Sequence, residues 1–215
     1  KPAVIGTEKS NAVGTGTEGM KAYRDDIRAR AAAAGRNPDD IKLMFCVSPT
    51  VAAIEAEARA EVDRLVARDS YIEKQLVSIS SNTEIDFKQF DWDQPLPEGL
   101  TTNGERGSLE HFMRGDGTPG PKTLRQLAID WATTGVEFIG TPEQVATKMA
   151  QAMEEIGGDG YLIMKPGWDL NRNYISSITD GLVPELQRLG LTRTEYTQQT
   201  LRQTLDWSYQ LLDAE

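Results

Sequence analysis

The sequence predicts an α/β fold built on parallel strands, and three observations carry that prediction. Apolar runs of strand length, at residues 41–48 and 161–164, are nearly continuous, as strands buried on both faces require. The segments between them carry apolar residues at three- to four-residue spacing, the period of a helix. The rhythm of strand, helix, strand, helix is the mark of a parallel sheet with crossover helices.

Taken in order, residues 3–6 form a short strand and a Gly-, Ser- and Asn-rich loop follows to Gly16. Thr17 caps a helix running to about Ala34, with Met20, Tyr23, Ile27 and Ala31 on one face. Gly35 ends it, and Asn37-Pro38-Asp39-Asp40 turns the chain into the strand 41–48, which Pro49 stops. A helix is expected from Val51 to about Lys74. Residues 78–120 break the rhythm: they are rich in Ser, Asn, Gly, Pro and Asp, and their aromatics Phe87, Phe90 and Trp92 are scattered. A connection of that length inside a compact domain is usually functional or disordered, and the expectation is an insertion that partly folds over an active site.

Regularity returns with a helix from Thr123 to Trp131 and a short extended piece at 136–139. Thr141-Pro142-Glu143-Gln144 is a strong helix start: Thr141 caps, Pro142 takes the first position and Gln144 completes a capping box. Val145, Met149, Met153 and Ile156 form the buried stripe, and Gly157-Gly158 closes the helix before the strand Tyr161 to Met164. Two more helices are expected, Asp180 to Leu189 and roughly Glu195 to Leu212. The organisation is therefore 1–77, an insertion over 78–120, and 121–215.

Charge and composition exclude several functions. The chain has 215 residues and a net charge of −10, which repels phosphate backbones and anionic lipid, so neither nucleic acid nor membrane is expected as a partner. No stretch approaches the roughly 20 apolar residues of a membrane span. Cys46 has no partner for an internal disulfide and reads as a small buried hydrophobe. No cluster of His, Cys and carboxylates has ligand spacing, so no metal is expected. No secretory signal opens the sequence, and the expected location is cytoplasmic. The chain starts at Lys1 and enters the apolar run Ala3-Val4-Ile5 almost at once, which points to sequence upstream. Gly14-Thr15-Gly16-Thr17-Glu18-Gly19 has the GxGxxG form, but polar residues separate it from Val4-Ile5 and no acidic residue ends the next strand, so a flexible loop with a helix cap explains it better than a dinucleotide site.

Several stretches, in order, resemble the C-terminal half of the nitrilotriacetate, dibenzothiophene-sulfone and long-chain-alkane monooxygenase group within the luciferase-like superfamily. They are Lys21 to Arg30, Ala34 to Lys42, Phe87 to Pro97, Thr123 to Ala128, Phe138 to Val145, Gly158 to Ile163, Leu182 to Gly190, and Thr192 to Tyr196 followed by Thr200 to Arg202. The resemblance implies the C-terminal part of a (β/α)8 TIM barrel with a long insertion before its final strand. Residues 3–6, 41–48 and 160–165 would be its last three strands, and three strands cannot close a barrel of eight. It further implies reduced FMN supplied by a separate flavin reductase, O2 and a small organic substrate as reactants, and a homo-oligomer. The family's flavin-phosphate loop would lie before Lys1, so the fragment alone is expected to be inactive. A deazaflavin-dependent oxidoreductase of the same superfamily and a non-catalytic fragment are the rival readings.

In such barrels chemistry sits at the C-terminal strand ends. That points to Ser48 after the seventh strand, and to Lys165, Pro166 and Trp168 after the eighth, as flavin or substrate pocket. Several members carry a Pro-Pro pair where this chain has Lys165-Pro166. His111, in the insertion beside Glu110, Phe112 and Arg114, is the candidate general acid or base if the insertion closes as a lid.

Overall fold

A computed structural model describes residues 16–133, 136–165, 171–201 and 203–204 of the chain. The expected strand at residues 3–6 and the loop after it lie outside the described residues.

Helix α1 spans Thr17–Ala33. Its N-cap is Gly16, not Thr17; the Thr17 hydroxyl instead donates to Glu155 at 2.6 Å, tying α1 to the helix it packs on. After a turn at Pro38–Asp40, strand β1 (Met44–Val47) runs parallel to β4 (Gly160–Ile163). Met44 stands opposite Gly160, Phe45 opposite Tyr161, Cys46 opposite Leu162 and Val47 opposite Ile163. Met164 N–H donates to the Val47 carbonyl at 2.8 Å, carrying the ladder past the end of β4.

Pro49 does not stop the extended chain, as its lack of an N–H suggested; it changes the strand's partner. Beyond Ser48-Pro49, β2 (Thr50–Val51) pairs in parallel with β3 (Ile139–Gly140), and Thr50 N–H donates to the Phe138 carbonyl at 2.8 Å. A proline between two ladders costs neither of them a hydrogen bond.

The two faces of the β1–β4 pair differ. Phe45 and Val47 join a core with Met20 of α1 and with Val145, Ala146, Met149 and Ile156 of helix α6 (Pro142–Ile156). The alternate positions Met44, Cys46 and Leu162 face the other way and are only half-buried. The capping box of α6 is present as expected, with Gln144 N–H bonded to the Thr141 hydroxyl at 3.3 Å and Thr141 N–H to the Gln144 side chain at 2.9 Å. Met153 lies at the edge of the buried stripe and is half-buried.

The expected single helix over 51–74 is two: α2 (Glu55–Val66) and α3 (Asp69–Thr83), with a break at Ala67-Arg68. Arg68 is extended, with φ −87° and ψ 128°. Helix α3 crosses residue 78, so the chain does not turn irregular there. With α4 (Arg106–Arg114) and α5 (Leu124–Thr133) it builds a second hydrophobic core from Ile72, Leu76, Ile79, Leu109, Phe112 and Leu124, closed by Phe87 from the connecting loop. The scattered aromatics belong to this core: Phe87 is 0% exposed with its ring centroid 5.1 Å from that of Phe112, and Phe90 and Trp92 pack half-buried against its edge. Their irregular spacing reflects a loop folding over helices, which obeys neither period.

The last long helix begins well before Asp180. Helix α7 (Arg172–Ser176) continues through a wide π-turn at Ser177–Leu182 into α8 (Val183–Arg188). Pro184 offers no N–H to the carbonyl one turn back, and the helix widens before it. Residues 191–200 are irregular where a helix from Glu195 was expected; a capping box between Thr200 and Gln203 restarts helix at Leu201. The remainder of the expected tail helix lies outside the described residues.

Candidate functional site

The parallel ladders bring the C-terminal ends of β1 and β4 to the same side, and there a cleft of about 400 Å³ opens. Thr50 of β2 lines it. Helix α2 forms one wall with Glu61, Val62, Arg64 and Leu65, extended by Arg68 at the break before α3. Lys165, just beyond β4, and Asn171, Asn173 and Tyr174, at the start of α7, form the other.

The local structure fixes these groups. Ala58 is fully buried where α2 rests on β2 and β3; Val62 and Leu65, four and seven residues on, continue the same side of the helix, and Glu61 and Arg64 flank it at the cleft. Asn171 caps α7, its side-chain oxygen accepting from Tyr174 N–H at 2.9 Å. Tyr174 is buried, and its hydroxyl donates to the Met164 carbonyl at 2.7 Å, which locks the start of α7 to the end of β4. Burial pushes the Tyr174 phenol well above its ordinary range, and the charge of Glu61 adds to the shift. Tyr174 is thus a fixed neutral wall. The Lys165 ammonium lies 6.0 Å from its ring centroid, with the aromatic face on the cation's side.

Of the candidates drawn from sequence, Lys165 lines this cleft. Ser48 is half-buried at the end of β1 but is not in the wall; Thr50 is. Pro166 and Trp168 lie outside the described residues. His111 is not on a loop: it sits on α4, its ring edge-on to Trp131 at 5.3 Å, in the helical unit and apart from the cleft wall. Glu61, Arg64, Arg68 and Tyr174 were missed. The signal for Glu61 and Arg64 was present as Glu61, Arg64 and Leu65 at spacings of three and one along the first helix after the strand, one face of 3.6-residue periodicity; Arg68 follows at the break before α3.

Among the described residues no helix is long and apolar enough to cross a membrane, and no three His, Cys, Asp or Glu side chains converge as a metal site would need.

Comparison with known proteins gives a consistent set of matches. The profile of the Luciferase-like monooxygenase family matches residues 11–160. The chain is 34% identical over 196 residues to nitrilotriacetate monooxygenase component A of Aminobacter aminovorans, covering 86% of this chain and 41% of that protein. It is 31% identical over 196 residues to dibenzothiophene-sulfone monooxygenase of Rhodococcus erythropolis, covering 87% and 42%. Among solved structures, a riboflavin lyase with modified FMN and riboflavin superposes with a TM-score of 0.68 at 23% identity, over 94% of this chain and 46% of the other. The chain thus spans about two-fifths of the length of these curated relatives.

Proposed function

Since this chain belongs to the luciferase-like monooxygenase family, we propose that it supplies the closing strands and the substrate end of a flavin-dependent monooxygenase that oxygenates a small organic molecule. One observation carries the reading: the parallel β1–β4 pair buries Phe45 and Val47 on its helical side but leaves Met44, Cys46 and Leu162 half-buried on the other, as an arc of a barrel interior would. The nitrilotriacetate and dibenzothiophene-sulfone relatives, monooxygenases by name, support the reaction class.

The residues present fit the rim of a flavin site and not the whole of it. A ribityl phosphate needs a nest of backbone N–H groups and an isoalloxazine a flat apolar slot. The described cleft offers instead cationic and amide side chains around a partly apolar wall. FMN, when bound and reduced, would supply the oxygen-activating chemistry, with a separate flavin reductase as its source. This chain's part is positional. Val62, Leu65 and Tyr174 keep water from one side of the cleft, Asn171 and Asn173 offer amides to orient a polar substrate, and Lys165 places a positive charge at the strand ends. Tyr174 holds its proton on a hydroxyl already bonded to Met164 and so takes no part in proton transfer. Residues 78–120 belong to a pre-packed helical cover, and a homo-oligomer located in the cytoplasm accompanies the proposal.

The test is isotopic. The chain, alone and extended at its N-terminus to the length of its relatives, is supplied with reduced FMN and 18O2 beside a panel of small organic acids and sulfur compounds. Incorporation of label by the extended form, with little or no FMN retained by the 215-residue form, is the expected result. Hydride transfer with a deazaflavin and no label uptake would reassign the reaction, and absence of both would leave a binding module.

A further inference from the structure

We propose that the cleft binds the oxyanion group of a small ligand, a carboxylate or a phosphate, through Arg64 and Arg68 on one wall and Lys165 on the other. The inference rests on reading this cleft as the substrate end of the site, and it names the substrate class.

The first ground is charge. The chain is strongly acidic at −10, yet among the described residues three of the cleft's side chains are cationic against one carboxylate, that of Glu61. The second is pairing. Many cations elsewhere are matched: Lys21 and Arg24 with Asp25, Arg30 with Asp26, Arg59 with Glu55, Lys88 with Glu73, Arg125 with Asp69 and Asp93. Arg36, Arg106, Arg114 and Arg172 are not ion-paired among the described residues, but none of them lines the cleft. Among the described residues neither Arg64 nor Arg68 has a carboxylate within ion-pair distance, Glu61 included, although Glu61 lies one turn from Arg64.

The third ground is position. Arg64, in the last turn of α2, complements that helix's dipole, so its presence alone has a structural reason. Arg68 has none. It is the N-cap of α3, where Ser, Thr, Asp or Asn is preferred, and it makes no side-chain cap bond. A cation there opposes the positive end of the α3 dipole. An anion held between Arg64 and Arg68 relieves that penalty. Guanidinium groups match the two oxygens of a carboxylate or phosphate in one plane, and the Lys165 ammonium adds a point charge from across the cleft. Val62 and Leu65 leave room beside the charged mouth for an apolar portion of the same ligand.

Calorimetric titration of the full chain at low salt, with citrate, inorganic phosphate, FMN and riboflavin as probes, tests this. Saturable citrate or phosphate binding is expected, weakened at least tenfold in the Arg64→Gln/Arg68→Gln double variant and severalfold in Lys165→Gln. Arg30→Gln, on α1, should leave it unchanged. Citrate binding favours a substrate carboxylate; binding of FMN but not riboflavin, lost in the double variant, assigns the anion to the flavin phosphate. Circular dichroism and thermal melting matching the parent exclude misfolding, and Lys165→Gln provides an independent reading if the double variant fails that check. The proposal is overturned if neither anion binds saturably, or if the arginine and Lys165 variants bind as the parent does. Anion binding without oxygen incorporation would sink the monooxygenase reading alone; oxygenation that is indifferent to Arg64, Arg68 and Lys165 would sink this one alone.

Discussion

Asp159 and Leu43 clasp each other at the start of the parallel ladder: the Leu43 N–H donates to the Asp159 carboxylate at 2.6 Å, and the Asp159 N–H donates to the Leu43 carbonyl at 2.9 Å. The Asp159 side chain is only 3% exposed, and its other oxygen lies 3.7 Å from the Arg28 guanidinium of α1. One carboxylate therefore sets the register of β1 against β4 and holds α1 over both. Asp159→Ala strands a buried N–H and removes a partner of a largely buried arginine, and is expected to cost about 3 kcal/mol. Asp159→Asn retains an oxygen for Leu43 and should cost less. Urea unfolding measures both; a loss under about 1 kcal/mol for the alanine variant would show that the clasp is dispensable.

At the end of α3, two neighbouring positions should respond in opposite directions. A Cβ on Gly104 would stand 2.7 Å from the Asn82 carbonyl oxygen and from the Thr83 carbonyl carbon, backbone atoms that cannot step aside. Gly104→Ala should destabilise by about 1–3 kcal/mol. Glu84 closes the same helix at φ 56°, a left-handed conformation that an L side chain resists. Glu84→Gly should stabilise by about 1 kcal/mol. Thermal melts of the two variants that move the same way would contradict the geometry.

Gln75 is 0% exposed in the helical core, and neither its amide nitrogen nor its oxygen has a protein partner. The Tyr71 hydroxyl one turn earlier is likewise unsatisfied, and burial pushes that phenol up to about 12. Gln75→Met fills the same volume without an amide and is expected to raise stability by about 1 kcal/mol. A drop of that size would instead reveal an internal water bonded to Gln75, which a high-resolution crystal structure would display.

Asp116 governs a pH-dependent turn. Its carboxylate accepts from the Lys122 ammonium and from the backbone and hydroxyl of Thr118, and these bonds hold it down at about 2. A depressed carboxylate lends stability above its ordinary value of 3.8 and loses it as pH falls through about 2. The Thr118 amide should therefore be protected from hydrogen exchange at neutral pH and lose protection progressively below about pH 4. Protection of the Thr118 amide in the parent that does not fall at all between about pH 4 and about pH 2, or Asp116→Asn exchanging as slowly as the parent at neutral pH, would refute the assignment.

The sequence announced its local chemistry well and its tertiary chemistry poorly. The Thr141 capping box, the Gly157 helix stop and the strand pair at 44–47 and 160–163 were readable because each rests on residues within one turn or one apolar run. The helical core was not. Phe87 is buried through contact with residues such as Phe112, and no periodicity joins positions so far apart. The helix that carries His111 was hidden because Gly and Pro crowd its surroundings and α4 is only nine residues long. In the cleft, Lys165 was visible from its place after a strand. Arg64 and Arg68 were hidden because a charged helix face reads as solvent-facing until another wall is seen opposite.

Helix α2 touches the strands through Ala58 and the helical core through Leu65 and Val66. It behaves as a lever whose fulcrum and far end belong to separately packed bodies. Repacking α3 to α5 would swing the arginine-bearing end and reset the aperture facing Lys165, while the ladder beneath kept its register. Ligand preference could then diverge by substitutions remote from the mouth, leaving the strand framework untouched.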